Sequence, residues 1–387
     1  MKRVPYGRQQ ISREDIEAVV EVLEGDWLTQ GPLVNKFEEE FARYCGAKYA
    51  VAVSNGTAAL HIAALCAGLK PGDILWTSPI SFVASANAGL YCGAEVDFVD
   101  IDPVTANMSV NLLEEKLADA KRTGKLPKVL IPVHFAGQSC DMEKIDALSK
   151  EYGFTVIEDA CHASGGSYKG KKVGSCSYSS MSVFSFHPVK IITTGEGGMI
   201  CTNDEDIYKH LLRLRTHGVT KDENTMEGAS EGGWYYELVE LGFNYRITDF
   251  QCALGLSQLS KIDSFVSTRN ELAGRYDKEL SGLPLQSMGK ISDSYSAYHL
   301  YVIRLNLGEL KKSRREVYDA LIEMGVLVNI HYIPIHLQPL YKRLGFKKGD
   351  FPNAEKYYEE ALTIPLFPSM TGDDFNHVVK SLREALA

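Results

Sequence analysis

One lysine stands where lysine is costly. In "SFHPVKIITTGEGG" (residues 185–198), Lys190 follows the apolar run "MSVFSF" and precedes "IITT" and the glycines around Glu196. Burial disfavours a charged amine, and a neutral amine is a nucleophile. Two other segments carry groups that suit the same chemistry. "FTVIED" ends an apolar run on Glu158 and Asp159, closely followed by His162. A carboxylate in that position needs a cation or hydrogen-bond donors to offset its desolvation. "YAVAVS" runs into "NGTAAL", a glycine turn opening a helix. Free amides of Gly56 and Thr57 there would suit a phosphate, while Asn55 or Thr57 would equally serve as an ordinary helix cap.

A cofactor with a phosphate, a basic ring nitrogen and an aldehyde unites these parts. Lysine forms a Schiff base with the aldehyde, and a carboxylate opposite the ring nitrogen keeps it protonated, making the ring an electron sink. The cofactor expected is pyridoxal 5'-phosphate (PLP), with Lys190 half-buried because it is covalently bound.

The elements that must position these residues follow a regular alternation. "ISREDIEAVVEVLEG" reads as a helix with Ser12 and Asp15 near capping-box spacing and an apolar face of Ile16, Val19, Val20 and Leu23. From "YAVAVS" onward, short apolar runs ("DILWTS", "AEVDFVDID", "KVLIPVHF", "FTVIED", "MSVFSF") are separated by amphipathic helices. That pattern predicts a mostly parallel sheet in an α/β domain, with ligands beyond the carboxyl ends of the strands. After about residue 255 the texture changes. "QLSKIDSFVSTRNELAGRYDKEL" reads as one long charged helix, and "AYHLYVIRL" and "GVLVNIHYI" as strands. The division expected is a large α/β domain over 1–255 and a small α+β domain over 256–387.

Composition excludes other classes. The net charge of −9 argues against nucleic acid or anionic membrane as a partner. No apolar run reaches the roughly 20 residues of a membrane helix, and the N-terminus lacks a secretory h-region. The eight cysteines are dispersed with no C-x-x-C pair, so neither a metal site nor a disulfide frame is expected. The chain reads as cytoplasmic.

The chain resembles the sugar aminotransferases of the DegT/DnrJ/EryC1/StrS family, which have the aspartate-aminotransferase (PLP type I) fold. The likeness runs nearly end to end through "LTQGPLVNKFEEEFA", "SNGTAAL", "TSPISFVASANA", "IEDACHASG", "SFHPVKIITTGEGG" and "GFNYRITDFQCALG". It implies that Lys190 is the Schiff-base lysine and proton shuttle, and that Asp159 partners the ring nitrogen. It places His162 beside the cofactor's phenolic oxygen and Phe82 over the ring. Gly56, Thr57 and Ser185 match phosphate ligands, and Asn244 matches one supplied by the neighbouring subunit of a homodimer. His331 and Tyr332 in "NIHYIPIHLQP" and Thr29 and Gln30 in "LTQGP" are candidates for sugar contact. His187 suits packing, Arg246 a structural place at the dimer interface, and His217 is open. Segments such as "VNIHYIPIHLQPLY" look most like the pseudaminic-acid branch, which implies L-glutamate as donor and amination at C4 of a UDP-linked 4-keto-6-deoxy-N-acetyl sugar. A sibling acting at C4 or C3 of a dTDP- or GDP-linked sugar is the alternative.

Rival chemistries lack their residues. "GGSYKGKK" has the spacing of a nucleotide-binding P-loop, but Lys172 stands where Ser or Thr should bind magnesium. No G-x-G-x-x-G follows the first strand, no cysteine is singled out as a desulfurase nucleophile, and a sugar 3-dehydratase would replace Lys190 with histidine. A non-catalytic binding or regulatory protein on this fold would be expected to lose Lys190 or Asp159.

Overall fold

The computed structural model describes residues 2–387. At its centre is a seven-stranded sheet: β1 (Tyr49–Val53), β2 (Ile74–Thr77), β3 (Glu95–Phe98), β4 (Val129–Ile131), β5 (Thr155–Asp159), β6 (Met181–Ser185) and β7 (Gly198–Thr202), in spatial order β1-β7-β6-β5-β4-β2-β3. The pairs from β3 to β6 are parallel. β7 runs antiparallel to both β1 and β6. β1 and β6 therefore point the same way, and the carboxyl ends of β1, β5 and β6 meet along one edge. The strands are apolar throughout because both faces are covered: Val51, Val53, Ile157 and Val183 pack into one core, Ala52, Phe184, Met199 and Cys201 into another.

The strand β7 was not legible in the sequence, where its glycines belong to the motif around Glu196. It has a geometric job. Gly198 is in register with both Ser185 and Val53, and a Cβ there would lie 2.6 Å from the Asn55 carbonyl oxygen. The missing side chain lets the Asn55–Gly56 turn close down beside the end of β6.

The C-terminal part forms a three-stranded antiparallel sheet of Leu285–Ser287, Tyr301–Leu305 and Ala361–Ile364. Helices Arg314–Glu323 and Gly372–Leu386 pack against it in a core of their own. Beside it, Val4–Pro5 from the other end of the chain forms a separate two-stranded parallel sheet with Val326–Leu327. "GVLVNIHYI" yields only that two-residue strand. From Val328 the chain leaves the strand and reaches the cavity described below, lining it with residues 329–332.

Two further expectations change. The long charged helix is present as Ile262–Glu279, but it starts later than expected, because Gln258 and Leu259 end a separate helix, Asp249–Leu259. At the break, Ser260 bonds back to the Ser257 carbonyl (2.7 Å) and Lys261 reaches Asp15 (2.6 Å). The helix Arg13–Leu23 does carry the Ser12–Asp15 capping box, but Ile16, Val20 and Leu23 are exposed and Asp15 is buried. Asp15 binds Ser257, Gln258 and Lys261, so polar bonds rather than the apolar stripe seat this helix.

Candidate active site

The strand ends open on a cavity of about 810 Å³ whose lining includes Gly56, Thr57, Phe82, Asp159, His162, Ser185, Lys190, His331 and Tyr332. These are the residues expected from three strands and one C-terminal loop, brought into a single space.

Lys190 sits in a turn closed by its own amide on the His187 carbonyl (2.9 Å). The loop beyond it is sewn down at Phe186, whose carbonyl accepts from the Thr194 amide (3.0 Å) and the Thr193 hydroxyl (2.9 Å). Ile191 and Ile192 enter the core alongside Phe184 and Phe186, which fixes the lysine between apolar anchors. No acid among the described residues pairs with it. Burial lowers its pKa from the usual lysine range, against a smaller opposing pull from Cys161 and Asp159.

Asp159 ends β5 with both carboxylate oxygens engaged. Oδ2 accepts the Ser85 hydroxyl at 2.6 Å and Oδ1 the Cys161 amide at 3.2 Å. Strand alternation sends Glu158 the other way, to a buried contact with His134 (2.7 Å) and Ser182 (3.0 Å). Of the two carboxylates in "FTVIED", only Asp159 lines the cavity.

Asn55 caps the helix Gly56–Cys66 by accepting the Ala58 amide (2.8 Å). The cap is ordinary, and it leaves the amides of Gly56 and Thr57 without a protein partner at the positive end of the helix. A Cβ on Gly56 would lie 2.9 Å from the Ser185 Cβ. Turn and serine are thus packed too closely for a side chain, which is the cradle that a phosphate requires.

His162 is 5% exposed, and its Nε2 shares a hydrogen bond with the Tyr332 hydroxyl at 3.1 Å. Burial, with Lys190 and His331 as lesser causes, pushes its pKa well below the histidine range. Its Nδ1 is sealed without a partner, as is Nδ1 of neighbouring His299. Each unpaired buried nitrogen costs about 1–3 kcal/mol. His331 bonds Thr363 through Nδ1 (2.9 Å), and burial followed by Lys190 lowers its pKa to about 3. Phe82 is exposed over the cavity, 6.4 Å from Tyr332 between ring centroids. Cys161, also in the lining, is kept a neutral thiol because burial, then Asp159, raises its pKa well above normal.

The profile of the DegT/DnrJ/EryC1/StrS aminotransferase family matches residues 9–383. The chain belongs to this family. It is 41% identical over 384 residues to the spore coat polysaccharide biosynthesis protein SpsC of Bacillus subtilis, covering 98% of this chain and 96% of that protein. It is 37% identical over 380 residues to a Campylobacter jejuni UDP-4-amino-4,6-dideoxy-N-acetyl-beta-L-altrosamine transaminase, covering 98% and 96%. Among solved structures it resembles Helicobacter pylori PseC, an aminotransferase of pseudaminic-acid biosynthesis, with TM-score 0.90, 30% identity and coverage of 100% and 99%. The protein is a sugar aminotransferase with the PLP type I fold, and its cofactor is PLP. The free amine, the doubly bonded carboxylate and the amide cradle fit that cofactor.

Some expected residues lie elsewhere. Thr29 and Gln30 do not line the cavity of their own chain. Their loop is tied to the start of helix Asp249–Leu259: Leu28 accepts the Asp249 amide (3.0 Å), and Thr29 bridges to Thr248. Asn244 is exposed and outside the lining, its backbone paired with Thr216. Arg246 lines a separate shallow pocket with Gln30 and Arg215. His217 is not in the cavity lining, whereas His187 is. Sequence reasoning missed Ser85, Cys161, Tyr245, His299 and Asn329 in or around the lining. None of them carried a signal of its own in the sequence, although Ser85 lies three residues beyond Phe82 in "SFVASAN".

Proposed function

We propose that this aminotransferase moves the amino group of L-glutamate to C4 of a UDP-linked 4-keto-6-deoxy-N-acetyl sugar, in a cytoplasmic pathway of the pseudaminic-acid type that feeds surface glycan or flagellin glycosylation. The observation that carries the amino-transfer half is Lys190, an amine with no acidic partner, held toward its neutral form by burial, sharing a cavity with Asp159. The sugar is supported by the likeness to the Campylobacter jejuni transaminase and to PseC. The greater identity to SpsC, a spore coat polysaccharide biosynthesis protein, favours a second reading in which the aminated sugar serves a polysaccharide; the alternative substrate is then a dTDP- or GDP-linked keto sugar aminated at C4 or C3.

In this reading the chain's own groups do the following. The amides of Gly56 and Thr57 and the Ser185 hydroxyl hold the phosphate at the helix N-terminus. Asp159, braced by Ser85 and the Cys161 amide, would hold a proton on the ring nitrogen of the bound cofactor. When bound, PLP supplies the electron sink for the carbanion at the donor's α-carbon. Lys190 Nζ takes the α-proton from glutamate and returns a proton in the sugar half of the exchange. Holding both partners against one amine makes each proton transfer effectively unimolecular. Phe82 and Tyr332 wall the ring side of the cavity, and His331 and Asn329 stand at the sugar side.

The working unit is a homodimer. Ile16, Val20, Leu23, Trp27 and Leu28 form one exposed apolar patch, and Trp234, Tyr236, Leu238 and Leu241 another on the arm ahead of Asn244. Patches of this kind are covered by a partner, and two-fold closure would let Asn244 complete the other subunit's phosphate site. The substrate is tested by kcat/KM with glutamate and the UDP-, dTDP- and GDP-linked 4-keto sugars. Preference for the UDP compound supports the reading, and preference for either of the others refutes it.

A further inference from the structure

His299 is placed with more constraint than its own bonds explain. The residue before it, Tyr298, has φ +46°, a left-handed backbone conformation that a bulky side chain rarely adopts. Arg269, 1% exposed, spends its guanidinium on the carbonyls of Tyr298 (3.2 Å), His299 (3.3 Å) and Leu366 (2.9 Å). Opposite, Gly137 leaves room for backbone alone, since a Cβ there would lie 2.7 Å from the Tyr298 amide nitrogen and 2.9 Å from that of His299. Three devices fix one imidazole. Yet its Nδ1 is sealed without a hydrogen bond, and a phenyl ring would fill the same space without burying that nitrogen. Strain persists where the surrounding structure over-determines it, and such positions cluster at working sites.

What this placement achieves is contact with His162. The two rings lie 4.4 Å apart between centroids, tilted by 43°, with His162 bonded on its other side to Tyr332. We propose that His299 is a positioning residue that holds the His162 ring in the orientation of its bond to Tyr332, and so sets the electrostatics beside the cofactor ring. Two imidazoles this close resist carrying two protons, because like charges disfavour each other's protonation. The titratable groups facing the pair are Lys190, His331 and Tyr332, with Arg269 behind His299 and with Tyr6, Asp159 and Cys161 around Tyr332. Burial, then His162 and Lys190, holds His299 itself well below the histidine range.

The proposal rests on the cofactor lying at Lys190. The experiment compares wild type, His299→Phe and His299→Asn as PLP-loaded enzymes. Phe keeps the ring and removes both nitrogens, and Asn returns a polar group near Nδ1. Measured are the pH titration of the visible cofactor band, kcat and KM for the glutamate half-reaction, and Tm. His299→Phe is expected to move the titration midpoint by about half a pH unit or more, and to lower kcat about tenfold with KM little changed. Its Tm should stay near wild type, and His299→Asn should recover part of both losses. A wild-type midpoint and kcat in His299→Phe would overturn the proposal, as would equal losses in both variants that follow a fall in Tm. A visible band persisting in Lys190→Ala would instead show that the lysine had been misplaced, so the two failures are distinguishable.

Discussion

The Ser85 hydroxyl donates to Asp159 Oδ2 at 2.6 Å, across the space between the helix Ala84–Tyr91 and the end of β5. Ser81 reaches the same Ser85 oxygen at 2.7 Å. A carboxylate held this way would stay aimed at the ring nitrogen it is proposed to serve. Ser85→Ala should lower kcat about tenfold, consistent with a charge-assisted bond worth about 1.5–3 kcal/mol. Asp159→Asn should cost far more, because a neutral amide no longer keeps the ring nitrogen protonated. Steady-state kinetics of the two variants check the order, and equal losses would contradict it.

Gly56 and Ser185 are packed at the limit of contact. Gly56→Ala would force apart Cβ atoms otherwise 2.9 Å from each other, so the phosphate cradle should widen while the fold survives. PLP affinity is expected to fall about tenfold, or about 1.4 kcal/mol, measured by titrating cofactor into the apoenzyme. Undiminished affinity would place the phosphate elsewhere.

Shared sites in a dimer predict complementation. Lys190→Ala and Asn244→Asp subunits should each be inactive alone. In a mixed dimer, the cavity that keeps Lys190 receives an intact Asn244 from its partner, so a random mixture should regain about a quarter of wild-type activity. No recovery on mixing would mean that Asn244 does not act across the interface.

Three buried imidazoles of the cavity contribute to the pH dependence of stability with one sign, opposed above about pH 6.5 by His134, which its bonds to Cys140 and Glu158 raise to about 10 despite its burial. His162 and His299 lie well below the ordinary histidine pKa and His331 at about 3, chiefly through burial. In the unfolded chain each takes a proton near pH 6.5, so below that pH the unfolded state binds more protons than the folded one. Stability must then fall as pH drops, by up to about 1.4 kcal/mol per unit for each ring. Tm should be lower at about pH 5.5 than at about pH 7.5, with a shallower slope in His331→Gln. A slope unchanged by that substitution would contradict the assignment.

The parts of the site that follow one another along the chain were legible. Lys190 between apolar runs, Asp159 closing a strand and the "NGT" turn each carry a local signature of burial cost or helix start. The family likeness then supplied Phe82, His162 and Ser185 in the cavity lining. What sequence could not carry was pairing across the fold. Ser85 looks like any small helical residue until it meets Asp159. His299 reads as one polar residue within the strand-like run "AYHLYVIRL", and its place beside His162 depends on Arg269 and Gly137, both distant in sequence. β7 was hidden because its first residue, Gly198, serves a close approach to Asn55 rather than a turn. The exposed stripe of Ile16, Val20 and Leu23 has correct helical spacing, but periodicity does not say whether the covering surface belongs to the same chain.

The central claim is that Lys190 is the amine that bonds PLP. The direct measurement is borohydride reduction of the PLP-loaded enzyme, followed by proteolysis and mass spectrometry of the pyridoxyl peptide. The label is expected on Lys190 in the peptide around "HPVKIITTGEGG", with loss of the visible band on reduction and no covalent label in Lys190→Ala. A pyridoxyl group found on any other lysine of the wild-type protein would contradict the account.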